Sequence, residues 1–238
     1  MPIQTLEPQR LYRQIAEQLR TLMTQGEFTP GERLPAERDL AKQLGVSRPS
    51  VREALIALEV EGWVEVRTGA GVFVLERARR PIETRKKVPE NEWGPLELIR
   101  ARRVIEGEIA ALAAAHAKRR HLQAIAGGIE LMQEDTDRGI APVEGDRAFH
   151  TAIAEAAGNA VLVDMVRALW DARRGPLFER LGDYFENVPS WRTAIGEHAA
   201  ILEAIRAHDP DAARAAMQAH MDKSHARFTA SWKRANPS

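Results

Sequence analysis

Residues 30–74 read PGERLPAERDLAKQLGVSRPSVREALIALEVEGWVEVRTGAGVFV, and no other stretch of the 238-residue chain leaves the backbone fewer choices. The spacing predicts a short helix over Ala36 to Leu44. Gly45 ends it, because glycine takes the left-handed conformation past a helix C-terminus without steric cost. Ser47 is a good N-cap for a second helix running to Val60, and Pro49 fits its first turn, where the missing N–H has no partner anyway. Val51, Ala54, Leu55 and Leu58 recur at helical spacing and mark the inward face. The pattern then alternates: Trp63, Val64, Val66, a Thr68-Gly69-Ala70-Gly71 turn, and Val72-Phe73-Val74. Two helices, a tight turn and a β-hairpin make a winged helix-turn-helix. Arg48, Ser50 and Arg52 in the first turns of the second helix suit entry into a major groove.

The motifs LPAERDLA, GVSRPSVREAL and LEVEGWVEVRTGAG resemble the winged helix-turn-helix of GntR-type transcription regulators, almost without gaps over the first third of the chain. The resemblance implies that Arg38, Arg48 and Arg52, with Ser47, Ser50, Thr68 and Gly69, contact double-stranded DNA. Their chemistry agrees. A guanidinium can pair in bidentate fashion with guanine, while hydroxyls and backbone N–H groups take phosphate.

Zero formal net charge looks wrong for a DNA binder until the chain is divided. Residues 1–87 hold fifteen Lys/Arg against twelve Asp/Glu, and residues 88–238 hold nineteen against twenty-two. The basic excess is local, and it concentrates in ERARRPIETRKK, residues 76–87. The absence of cysteine removes disulfides, thiolate chemistry and Cys-ligated zinc, and fits a cytoplasmic protein. The N-terminus, MPIQTLEPQRLYRQ, has no apolar signal-peptide core, and no apolar run is long enough for a membrane span.

Leu11, Ile15, Leu19 and Leu22 predict an amphipathic helix that Gly26 stops. The winged unit then closes near Leu75, giving a first domain of residues 1–75. Residues 76–94, charged and holding Pro81 and Pro89, read as a basic linker. From residue 95 to 238 the pattern is helical, with about seven helices and no strand signal. The expected fold is mainly α: the winged helix-turn-helix, then an all-α antiparallel bundle.

The bundle carries a four-residue constellation. Asp146 and His150 are four apart on one predicted helix and share a face. His198 and His220 are equidistant from the turn at Asp209, so in an antiparallel hairpin they should lie side by side. One carboxylate and three imidazoles suit one divalent ion per chain, zinc first, with nickel or manganese as alternatives.

ELIRARRVIEGEIAALAA, DRAFHTAIAEAAGN, EHAAIL and the His220 helix resemble the FCD ligand-binding domain of the FadR subfamily. That resemblance implies metal ligation by all four residues and a small carboxylate effector. It also places Arg102 at a position facing the cavity; the alternative is an Arg102–Glu106 pair on the helix surface. A narrower likeness is to the hexuronate-operon repressors of the UxuR/ExuR type. It rests on LYRQIAEQLRTLMTQGEF, LEVEGWVEVRTGAG, WGPLELIRARRVIE and LWDARRGPLFERL, and it implies a sugar-acid effector. Arg173 is then an effector contact beside Trp170, the other reading being a surface arginine and a core tryptophan.

The expectation is a homodimeric repressor on a palindromic operator, controlled by a sugar acid at the metal, and not an enzyme. The alternative is a metal-dependent sugar-acid hydrolase or isomerase fused to a DNA-binding domain, since a His-rich site with open positions can activate water. No general acid or base is evident beside it: Glu197 adjoins His198, but neighbouring helical residues point about 100° apart. A purely structural metal is a third reading.

Overall fold

The computed structural model describes residues 10–76, 88–89 and 91–230. Most of the basic stretch expected to serve as a linker, and the C-terminal end of the last expected helix, lie outside them. Ten α-helices and one two-stranded sheet occur among the described residues. By contacts they divide into two compact units: one holds residues up to Leu96 together with Gly175–Tyr184, the other Glu97–Arg174 with Phe185–Ala230.

In the first unit, α1 (Leu11–Gln25) and α2 (Glu37–Leu44) pack on α3 (Arg48–Val60). Ser47 caps α3 by accepting the Ser50 N–H at 3.3 Å, and Gly45 ends α2 at φ 67°. Val51, Ala54, Leu55 and Leu58 are fully buried. So is nearly everything else from Ser50 to Leu58, because α3 is covered on most sides rather than along one stripe. On α1 the expected apolar face is rotated slightly. Leu11 is exposed and Tyr12 is buried instead, its hydroxyl donating to the Glu92 carbonyl at 2.9 Å.

Strands β1 (Val64–Arg67) and β2 (Gly71–Val74) pair antiparallel, Val64 opposite Val74 and Arg67 opposite Gly71. A segment the spacing did not mark as strand closes the other edge of β2. Gly31 and Leu34 donate to Val74 and Val72 carbonyls, and Val74 donates to Glu32, so the wing's free edge is paired.

Helix α8 (Pro176–Phe185) falls within the stretch expected to belong wholly to the bundle, yet packs with the first unit. Leu177 and Leu181 are buried. Glu92 accepts the Leu177 N–H at 2.9 Å and so caps the helix from outside it. Glu59 of α3 takes Arg180 at 3.0 and 3.1 Å and the Tyr184 hydroxyl at 2.6 Å.

The second unit contains most of α4 (Pro95–His116), then α5 (Arg119–Asp137), α6 (Val143–Ala156), α7 (Ala160–Asp171), α9 (Val188–Arg206) and α10 (Pro210–Phe228). Helix α4 stops at His116, and the His121 side chain takes the Lys118 N–H at the start of α5. Asn159, Asn187 and Asp209 cap α7, α9 and α10. Helices α5 and α6 approach at backbone distance. A Cβ on Gly128 would lie 2.7 Å from the Phe149 nitrogen, and one on Gly145 would lie 2.6 Å from the Met132 nitrogen. These glycines seat α6, and with it the residues of the site.

Candidate functional site

Asp146 and His150 sit one turn apart on α6. The α9–α10 hairpin turns at Asp209 and brings His198 and His220 to a ring separation of 4.3 Å, as their symmetric spacing requires. The His150 ring lies 5.4 Å from His198 and 5.6 Å from His220, and one nitrogen from each of the three falls within 4.8 Å of the others. Asp146 Oδ1 is 3.3 Å from His150 Nε2 and 3.2 Å from His198 Nε2. The three imidazoles are buried.

Two further carboxylates stand behind the rings. Glu106 Oε2 on α4 is 2.5 Å from His150 Nδ1, and Glu197 Oε2 accepts from His220 Nδ1 at 2.8 Å. Each fixes its ring's orientation and leaves Nε2 as the remaining nitrogen, the arrangement by which carboxylates orient metal-binding histidines. Glu197 adjoins His198 in sequence but meets the ring on the next helix. The same hairpin symmetry that pairs His198 with His220 also pairs Glu197 with His220, so the sequence carries this signal. The spacing marks Glu106 only as a partner for Arg102.

Burial works against charge throughout. It holds His198 below its ordinary range; at His220, burial joined by the neighbouring His198 and His150 holds the ring well below. At His150 burial is outweighed by Glu106 and Asp146, and the pKa rises. Asp146 is held well below the carboxylate range despite burial, by His150, His198 and Arg173; Glu106 is held low by Arg102 and His150. Asp146 Oδ1, His150 Nε2 and both nitrogens of His198 are buried without a well-formed hydrogen bond among the described residues. Buried polar atoms normally find a partner. A divalent cation fits these donors: three imidazole nitrogens around one point, the Asp146 carboxylate beside two of them, and a cavity alongside.

Arg102 and Arg173 line that cavity. Arg102 is neither solvent-exposed nor unpaired. It is 3% exposed, and its Nε lies 2.5 Å from Glu106 Oε1, so the pair expected on a helix surface is inside the bundle. Arg173 Nη1 donates to Asp146 Oδ2 at 3.0 Å. Trp170 is a core residue, and both guanidiniums stack on it, at 4.6 Å for Arg102 and 4.0 Å for Arg173.

In the first unit, Arg38, Ser47, Arg48, Thr68 and Gly69 are exposed. Ser50 is turned inward, its Oγ 2.9 Å from that of Ser47. Arg52 departs most from expectation. It is 2% exposed, and its Nε and Nη2 each donate to Glu37 at 2.8 Å. As placed, it ties α3 to α2 and presents nothing to a groove; a base contact would require that pair to break.

Comparisons with known proteins agree on the kind of molecule. The family model for bacterial regulatory proteins of the gntR family matches residues 11–74, and that for the FCD domain matches residues 97–223. The chain is 36% identical over 218 residues to the Uxu operon transcriptional regulator of Escherichia coli K12, covering 90% of this chain and 85% of that one. It is 36% identical over 220 residues to the Exu regulon transcriptional regulator of the same strain, covering 91% and 83%. Among solved structures, E. coli McbR/YncC matches with a TM-score of 0.50 at 26% identity, over 92% of this chain and 97% of that one. These domains and relatives are those of transcription regulators, not enzymes, and no helix among the described residues is long and apolar enough to cross a membrane.

Proposed function

Because this chain belongs to the GntR family of bacterial regulators and carries an FCD domain, we propose that it is a cytoplasmic, homodimeric repressor whose hold on a palindromic operator is set by a sugar acid bound at a divalent metal. The observation that carries this is the convergence of Asp146 Oδ1 with the His150 and His198 Nε2 atoms, none with a well-formed hydrogen bond among the described residues, beside a cavity lined by two stacked arginines. Asp146, His150, His198 and His220 hold one ion per chain, with zinc the first choice on donor chemistry. The ion supplies positive charge and open positions for a carboxylate or hydroxyl oxygen. Arg102 and Arg173 offer charge-assisted hydrogen bonds to the same ligand. The likeness to hexuronate-operon repressors directs the choice of acid.

Operator contact falls to Arg38, Ser47, Arg48, Thr68 and Gly69, the exposed members of the motif. Two cavity residues, Arg173 and Glu186, bracket α8 in the sequence, and α8 holds Glu59 of α3 through Arg180 and Tyr184. The effector acts on operator binding by favouring one state of the protein over another. Its influence can be no larger than its differential affinity for the two states.

The experiment is a thermal-shift screen of D-glucuronate, D-galacturonate and D-fructuronate, with and without chelator, paired with operator binding. One acid should raise the melting temperature only while metal is present, and should change operator affinity. A shift that survives complete chelation would remove the metal from the ligand's anchorage.

A further inference from the structure

The cavity contains one carboxylate that the site has not used. Arg102 holds Glu106, Arg173 holds Asp146, and Arg227 holds Glu197 at 3.0 Å, so each cavity arginine already has a carboxylate of its own. Glu186 remains. Its place is set by the chain on either side. Phe185 before it packs edge-on to Phe228 at 6.3 Å, and Asn187 after it caps α9 in a reciprocal pair with Ser190. With both neighbours held, Glu186 stays in the cavity wall.

We propose that Glu186 is the residue that selects a polyhydroxylated acid, its two carboxylate oxygens accepting hydrogen bonds from neighbouring hydroxyls of the ligand. The inference rests on the effector reading above and adds the residue that reads the ligand's hydroxyls. Three observations support it. A carboxylate in the wall repels the ligand's own carboxylate, and so directs that group to the metal and Arg102 side. An ammonium is a poorer fit than a neutral donor, because two of the three charges acting on Glu186, Arg173 and Arg227, are cations, Asp146 being the third. Neutral donors suffer neither penalty, and a vicinal diol offers two O–H groups to two acceptor oxygens. Thirdly, polar atoms gather beside it: the buried Trp191 indole N–H lies against the Glu186 carboxylate and orients it, and the Ser224 hydroxyl lines the same cavity. Met132, Val143 and Ile195 supply apolar surface for the carbon skeleton.

A site built to pair hydroxyls rejects the analogue that lacks them, because its own polar groups are then left desolvated and unpaired. The test is calorimetry on the full-length, zinc-loaded protein. D-glucuronate and D-galacturonate are compared with hexanoate, a carboxylate of the same carbon number without hydroxyls. The wild type should prefer the better hexuronate by about 100-fold or more. Glu186→Gln, nearly the same shape, should weaken that hexuronate by roughly tenfold, the worth of one charge-assisted hydrogen bond. It should not weaken hexanoate, and should leave zinc content unchanged. Glu186→Ala should reduce the preference further, its folding checked by thermal melt. Parallel loss of both ligands in the Gln variant, or an unchanged preference in both variants, would overturn the assignment of Glu186 while leaving the effector site standing. A wild type that binds neither class at any metal load would overturn this proposal and the effector reading together.

Discussion

Arg48 and Arg52 lie one helical turn apart in the same motif, yet the structure gives them different work. Arg48 is exposed, with Glu37 3.8 Å away; Arg52 is buried in a two-point pair with the same carboxylate. Arg48→Ala should therefore weaken operator binding by about 1–3 kcal/mol with little change in melting temperature. Arg52→Ala should act on folding instead. It leaves the Glu37 carboxylate buried without its main partner, a loss of about 3–5 kcal/mol that a denaturation curve would register. A stable Arg52→Ala protein that cannot bind operator would restore the base-contact role implied by the motif. Glu106 carries the second residue-scale prediction. It orients His150 through Nδ1, so Glu106→Gln should lower zinc affinity by about 10- to 100-fold in a chelator competition. An unchanged affinity would mean that the histidine ring is held by packing alone.

At the scale of elements, α8 groups by its contacts with the first unit, although it lies within the stretch matched by the FCD domain. Its periodicity identifies it as a helix, but periodicity says nothing about which neighbour a helix joins. That is decided by Glu59, which accepts the Val66 N–H at 2.8 Å and also holds Arg180 and Tyr184. One carboxylate thus ties α3, β1 and α8 together. Glu59→Ala should cost the first unit about 1.5–3 kcal/mol, the usual worth of hydrogen bonds to a charged group. Hydrogen exchange should show lost protection in both α8 and β1. If only β1 loosens, the Arg180 and Tyr184 contacts contribute little and α8 is held by Leu177 and Leu181. The α5–α6 contact is the converse case: Gly128 and Gly145 are plain in the sequence, but only the fold shows that they face each other's helix and let α6 sit close.

For the whole molecule, the metal proposal carries a stability consequence. An ion bound only by the folded chain adds about 2.7 kcal/mol when present at a hundred times its dissociation constant. Chelation should lower the melting temperature, and zinc should restore it. Affinity should fall on acidification, since imidazoles must be deprotonated to ligate, and His150, whose pKa is raised by Glu106 and Asp146, should take up a proton before His198 and His220 do. A melting curve indifferent to chelator would leave the cluster without a structural metal. The sequence by itself determined the helices, their caps and the winged unit, because these depend on neighbours a few residues away. It also determined that His198 meets His220, because a hairpin's register follows from its turn. Only the tertiary structure decided that Arg52 is an interior residue, that Glu106 orients His150, and that Glu186 faces the cavity. In each case a charged side chain's role depends on what lies opposite it, and what lies opposite is supplied by residues distant along the chain or by a different helix.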